Sequence, residues 1–264
     1  MAPIVKIYPD VHTWVEETAL EIAQVVKDAV ALKGLAFVAL SGGRTPVAVY
    51  QRLTQLPWRE IIPWSKIHWF WVDERWVPSD HSDSNYGSAW KAMLSKVPVD
   101  EAKVHRIPTE GMDPSEAAAV YEEQLRNLLR PQGVGLDLVV LGMGTDGHTA
   151  SLFPGSPLLT EPTHWFAASL APVGVRQRIT MLLPLLNASD TLLFLVAGAD
   201  KKAVIDAVLH GGALAQNYPA GKARAARQTI WILDSEAAGV VPPEALRTQE
   251  KSNQGARKVQ PDWQ

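Results

Sequence analysis

The 264-residue chain contains no cysteine. Disulfides, thiolate nucleophiles and cysteine-ligated metals are therefore excluded, and a reducing compartment is permitted. A charge surplus is also missing: 25 Lys and Arg stand against 28 Asp and Glu, a formal net charge of −3. A general nucleic-acid scaffold needs a basic surface, and no long basic run supplies one, so no nucleic-acid partner is expected. The most apolar runs, 35–40 and 191–198, fall far short of the roughly 20 residues that span a bilayer. Residues 1–10 carry no apolar signal segment, so a cytoplasmic protein with no membrane partner is expected. Several catalytic signatures are absent too. There is no Gly-x-Ser-x-Gly elbow, no His-Glu-x-x-His, no P-loop spacing and no full dinucleotide fingerprint. Serine, thiol and zinc-protease hydrolysis lose support, as do ATP and NAD binding.

What is present is a large apolar fraction, 47% of the residues, enough for one large core or two closely fused lobes. Thr13 and Glu16 have capping-box spacing, and Val15, Ala19, Ile22, Val26 and Ala29 recur at helical intervals toward Gly34. Residues 35–40 form a continuous apolar run, expected as a strand buried on both faces. A helix is expected to start at Pro46. Aromatic and branched residues at 67–72 predict the next strand. Helices follow at 85–95 and 114–129, around a short strand at 104–107. Strands are predicted at 136–141, 165–169 and 191–196, a helix at 200–209, and a last strand at 229–233. This alternation implies a mostly parallel, doubly wound α/β sheet flanked by helices, in a single domain over residues 1–247. Residues 213–227 are small and basic and read as a mobile loop. From Thr248 onward the chain is polar and aperiodic, and reads as a flexible tail in which Trp263 has no evident packing partner.

Chemistry gathers where the strands end. The strand at 136–141 runs into Gly142-Met143-Gly144-Thr145-Asp146-Gly147-His148, placing a carboxylate and an imidazole at a carboxyl end, where open α/β sheets bind ligands. An imidazole titrates near neutrality and can take a proton from water, with a carboxylate fixing its tautomer. A plain strand-to-helix turn would use the same residues. Ser41-Gly42-Gly43-Arg44-Thr45-Pro46 joins a strand to a helix whose first N–H groups can meet a phosphate. Asp73, Glu74 and Arg75 end the aromatic strand, either as an internal ion pair or as ligand contacts. The polar stretch 80–87 matches no EF-hand or zinc spacing and reads as a turn, with Ser84 capping a helix. Arg176 and Arg178 precede an apolar stretch, and Lys201 opens a helix after a buried strand. Guanidinium groups suit bidentate phosphate recognition.

Three segments in this order, LSGGRTP (40–46), VDERWVPSDHSDSNYG (72–87) and LGMGTDGHTASLFP (141–154), resemble the 6-phosphogluconolactonase family. Arg178-Ile179-Thr180 and Gly198-Ala199-Asp200-Lys201 match as well, and the resemblance spans roughly residues 11–235. It implies hydrolysis of 6-phospho-D-glucono-1,5-lactone to 6-phosphogluconate, the second step of the oxidative pentose phosphate pathway. The fold it implies is Rossmann-like and similar to that of the glucosamine-6-phosphate deaminases. Those deaminases carry an acidic residue five positions after the histidine. Here that position is Phe153, which favours the lactonase. On this resemblance His148 is the general base on water and Asp146 orients it or the substrate hydroxyls. Ser41, Gly42, Gly43, Arg44, Arg178 and Lys201 hold the phosphate, with Asp73, Arg75 and Gly144 also at the substrate. Backbone N–H groups of 142–147, aided by Arg75, are expected to meet the oxyanion. No cofactor and no metal is required. The partner expected is a small phosphorylated sugar lactone, bound by a monomer or weak homodimer. A deaminase-like isomerase and a non-catalytic sugar-phosphate sensor are the competing readings.

Overall fold

The computed structural model describes residues 2–239 except 132 and 134. The tail expected from Thr248, with Trp263, lies outside the described residues.

Strand β1 (Ile4–Tyr8) leads into α1 (Val11–Lys33), which ends at a left-handed Gly34. Its N-cap is Asp10 and not Thr13: the Asp10 carboxylate accepts from the Thr13 amide at 2.8 Å and from its hydroxyl at 2.8 Å. An acidic cap three residues earlier adds a turn, and Glu16 pairs with Arg52 instead of reaching back. Strand β2 (Ala36–Leu40) is buried throughout. It turns at Gly43 into α2 (Arg44–Leu53), which places Pro46 third in the helix, not first. A short α3 (Trp58–Ile61) precedes β3 (Ile67–Trp71).

At Val72 the backbone changes sheets. Its amide still donates to Leu40 of the parallel ladder (3.0 Å), while its carbonyl accepts from Met181 (2.7 Å). The following β4 (Asp73–Arg75) therefore belongs to a second sheet. Helix α4 (Asn85–Ala92) is capped by the Ser84 hydroxyl, as its sequence predicts. Residues 104–107 make one bridge to β3, Val104 opposite Trp69, and no strand. Next come α5 (Pro114–Leu129), β5 (Leu138–Leu141), β6 (Phe166–Leu170) and β7 (Gln177–Met181). A short α6 (Leu183–Ala188), β8 (Thr191–Val196) and α7 (Lys202–His210) follow. The segment read as a mobile loop is instead a 3-10 turn and α8 (Pro219–Lys222), with Ala220 and Ala223 fully buried. Strand β9 (Gln228–Asp234) and α9 (Ser235–Ala238) end the described chain.

The expected doubly wound α/β sheet is present: six parallel strands in the order β1-β9-β8-β5-β2-β3. From β2 the chain steps outward to β3, then crosses to β5 on the other side. The switch point therefore lies between β2 and β5, where such sheets open a crevice at their carboxyl ends. Strand β6, expected in the parallel sheet, pairs with β7 in an antiparallel sheet ordered β4-β7-β6. One continuous apolar cluster carries side chains of both sheets, from Val38 and Phe194 to Phe166 and Ile179. Within it the Phe194 and Trp231 rings stack at 4.0 Å, a contact that contributes about 0.5–1.5 kcal/mol beyond area burial. No helix among the described residues is long and apolar enough to cross a membrane.

Candidate active site

The switch point opens into a cleft of about 280 Å³. Its floor is the turn after β5. There the Asp146 carboxylate accepts from the His148 backbone N–H (3.1 Å) and holds His148 Nδ1 at 2.6 Å. An Nδ1–H donated to Asp146 leaves Nε2 as the basic nitrogen. Partial burial opposes ionisation of Asp146. The His148 amide, its charge and its ring together outweigh that effect and hold the carboxyl below its usual range. Only glycine fits at 144, since a Cβ there would stand 2.1 Å from His148 Nδ1 and 2.6 Å from Asp146 Oδ1. Behind the turn, Gly147 (φ 77°) abuts Tyr218, and its carbonyl accepts from the Ala220 amide at 3.0 Å. The 213–227 segment is thus the buttress of the turn.

Two of the expected oxyanion donors are already engaged. The Gly144 N–H is bonded to the His148 carbonyl (2.9 Å) and the Gly147 N–H to the Gly144 carbonyl (3.0 Å), so both are committed within the turn. Arg75 also lines the cleft. Its Nη1 reaches the Asp83 carbonyl at 2.8 Å, while its Nε is buried with no hydrogen-bond partner among the described residues.

The opposite wall is the β2–α2 turn. Gly43 (φ 98°) caps α2 with no side-chain hydrogen bond, so the first N–H groups of the helix face the cleft uncapped. Ser41 Oγ is buried there without a partner among the described residues. A helix N-terminus favours anions, yet Arg44 sits in its first turn, where a cation is disfavoured unless an anion joins it.

The small sheet supplies the third wall. Arg178, expected just before a strand, lies within β7, directly opposite Arg75 on β4. Its Nε donates to the Val175 carbonyl at 3.0 Å. Burial, with some contribution from Arg75, lowers the pKa of this guanidinium, and Asp73 opposes that shift. Asp73 is 5% exposed, and both of its oxygens are engaged, one by Asn85 Nδ2 (3.0 Å) and one by the Ser151 hydroxyl (2.6 Å). Glu74 makes no pair with Arg75. It caps α4, accepting from the Ser84 hydroxyl and from the Asn85 and Tyr86 amides, and also from the Arg75 amide. Burial raises its pKa despite those donors. Lys201, in a 3-10 turn before α7, completes the rim 3.5 Å from Asp200.

Ten of the eleven expected residues line this one cleft: Ser41, Gly42, Gly43, Arg44, Asp73, Arg75, Gly144, His148, Arg178 and Lys201. Asp146 lies beside it, touching the cleft only through His148. Two residues escaped the sequence reading. Asn85 packs against Gly42 so closely that a Cβ there would meet its Oδ1 at 1.8 Å. Ser151 is fully buried. Both sit inside the quoted motifs, but a polar residue in a motif announces its burial by no local pattern.

The family model for glucosamine-6-phosphate isomerases/6-phosphogluconolactonase matches residues 9–231. The chain belongs to this family. The 6-phosphogluconolactonase of Synechocystis sp. is 37% identical over 243 residues, covering 90% of this chain and 98% of the relative. That of Mycobacterium tuberculosis is 34% identical over 249 residues, covering 92% and 100%. A crystal structure of 6-phosphogluconolactonase from Thermotoga maritima superposes with a TM-score of 0.76 at 29% identity, covering 88% of this chain and 100% of that one. Family membership alone spans lactonases and isomerases. At the position where an isomerase-type acid is expected, Phe153 lies with its ring 4.8 Å from that of His148.

Proposed function

We propose that the chain hydrolyses 6-phospho-D-glucono-1,5-lactone to 6-phospho-D-gluconate, the second step of the oxidative pentose phosphate pathway. One observation carries this reading: an imidazole with an open Nε2 shares a small cleft with four cations, Arg44, Arg75, Arg178 and Lys201. The cations fit a phosphate, and the imidazole fits a water to be deprotonated.

In this mechanism the α2 N-terminus, Ser41, Arg44, Arg178 and Lys201 hold the phosphate. That remote binding energy places the lactone carbonyl over His148. Nε2 takes a proton from water as the water oxygen bonds to C1, and Asp146 stabilises the imidazolium that forms. Arg75 faces the oxyanion of the tetrahedral intermediate. Collapse breaks the bond between C1 and the ring oxygen, which takes the proton back from His148. The new carboxylic acid then ionises, releasing one proton. Phe153 beside His148 supports the lactonase over a deaminase, which is expected to need an acid there.

The test is pH-stat proton release from freshly prepared 6-phosphogluconolactone, corrected for spontaneous hydrolysis. Catalysed release with no ammonia formed from glucosamine-6-phosphate is the expected result. Ammonia release would support the isomerase, and tight binding without turnover would support a sensor.

A further inference from the structure

We propose that the Ser151 hydroxyl is a positioning group that keeps Arg178 off Asp73, and so available to the substrate phosphate. The inference rests on the reading of Arg178 as a phosphate ligand.

Buried Asp73 and partly buried Arg178 are neighbours of opposite charge, yet Arg178 Nη1 stands 3.9 Å from Asp73 Oδ2. Two such groups in a shielded site would be expected to close to a direct, hydrogen-bonded pair. Ser151 lies between them. Its hydroxyl donates to Asp73 Oδ2 at 2.6 Å, and its oxygen accepts from Arg178 Nη1 at only 3.5 Å. Asp73 Oδ1 is already taken by Asn85 Nδ2 at 3.0 Å. The carboxylate is thereby satisfied without the guanidinium. Arg178 in turn is held by its Nε on the Val175 carbonyl and lines the cleft.

Ser151 cannot drift from this post. Its amide donates to Thr180 Oγ1 at 3.0 Å and its carbonyl accepts from the Ser169 hydroxyl at 2.6 Å. All its polar atoms are therefore engaged, by residues of β4, β6 and β7. It also follows His148 by three residues. The small sheet that carries Arg178 is thus registered to the His148 turn through this one residue. Without the hydroxyl, Asp73 Oδ2 would be buried and unpaired, a costly state that Arg178 would relieve by swinging onto it.

Ser151→Ala is expected to raise KM for 6-phosphogluconolactone about tenfold, the size of one weakened charge-assisted contact, with kcat changed less than KM. Ser151→Cys keeps the volume but donates only weakly, so it should resemble the alanine variant; a wild-type KM in Ser151→Cys alone would mean packing, and would overturn the proposal. It also carries the test should Ser151→Ala not fold. In an Arg178→Ala background, Ser151→Ala should change KM by less than about twofold, because both act through one guanidinium. A full tenfold effect there, or a KM within twofold of wild type in the single variant, would overturn the proposal. Calorimetric binding of inorganic phosphate separates the two readings. Weaker phosphate binding by Ser151→Ala is expected even if the wild-type protein were to hydrolyse no lactone.

Discussion

Arg75 and Arg178 stand directly opposite each other on the antiparallel strands β4 and β7. Like charges in that position repel, and a backbone carbonyl holds each of them. Arg75 is tied to the Asp83 carbonyl and Arg178 to the Val175 carbonyl. A phosphate bound beside Arg178 would relieve that repulsion. Ligand binding should therefore stabilise the fold: 6-phosphogluconate at about 100 times its Kd adds roughly 2.7 kcal/mol, several degrees in Tm. Thermal melts with and without the product check this, and gluconate, which lacks the phosphate, should shift Tm far less.

Removing the Arg178 guanidinium should separate binding from chemistry. Arg178→Ala is expected to raise KM for the phosphorylated lactone while sparing the weak reaction with unphosphorylated gluconolactone. Steady-state kinetics on the two substrates read this directly. An equal loss on both would contradict a phosphate role.

His148→Ala should lower kcat by about 10²–10⁴-fold, the range for losing a general base, with little effect on product affinity. A near-normal rate would end the assignment of His148.

Gly144→Ala offers a subtler test of the same group. The added Cβ would fall 2.1 Å from His148 Nδ1, so the imidazole must move away from Asp146. A displacement of this size costs on the order of 10²-fold in rate. Because the contact is confined to the turn, circular dichroism should stay native. A variant that keeps full activity would show that the ring need not stay against Asp146.

Away from the cleft, His68 Nδ1 meets His105 Nε2 at 3.0 Å, and His105 Nδ1 meets the Gln124 amide at 3.1 Å. Burial, then the charge of His68, lowers His105 to about 4. Burial, then Lys103, lowers His68 against the opposing pull of Asp100. Both depressed values favour the neutral rings in the fold. Their contribution is present above the ordinary histidine pKa near 6.5 and is lost as pH falls from there toward 4, by at most about 1.4 kcal/mol per pH unit for His105. Tm measured across that window should fall more steeply for the wild type than for His105→Gln. Parallel curves would show that the pair does not set acid stability.

Much of the fold could be read from local pattern. Continuous apolar runs at β2, β5 and β8 and the capped amphipathic α5 have periods and caps that point to one element type each. The small sheet could not be read this way. Strand β4 is three residues, Asp73-Glu74-Arg75, with no alternation to reveal it. Its existence depends on pairing with β7, more than a hundred positions away. The N-cap of α1 is Asp10 although only Thr13 has capping-box spacing, because the hydrogen bond from the Thr13 amide to Asp10 decides the cap. The small, basic 213–227 stretch reads as mobile because its partners, Gly147, Ser189 and Asp190, are distant in sequence.

For the site, the chain order of residues was enough to name the chemistry. Glycine-rich turns at the ends of apolar strands, a histidine two residues after an aspartate, and arginines near strand ends are local facts. They follow from where strands stop and helices begin. Folding chose which of those groups meet. The crossover between β2 and β5 brings the Ser41 turn against the His148 turn. The change of sheet at Val72 turns Arg75 toward Arg178. Long-range pairing also buried Ser151 between Asp73 and Arg178. Hydrogen bonding between distant segments depends on three-dimensional register, and no local stretch of sequence carries that register.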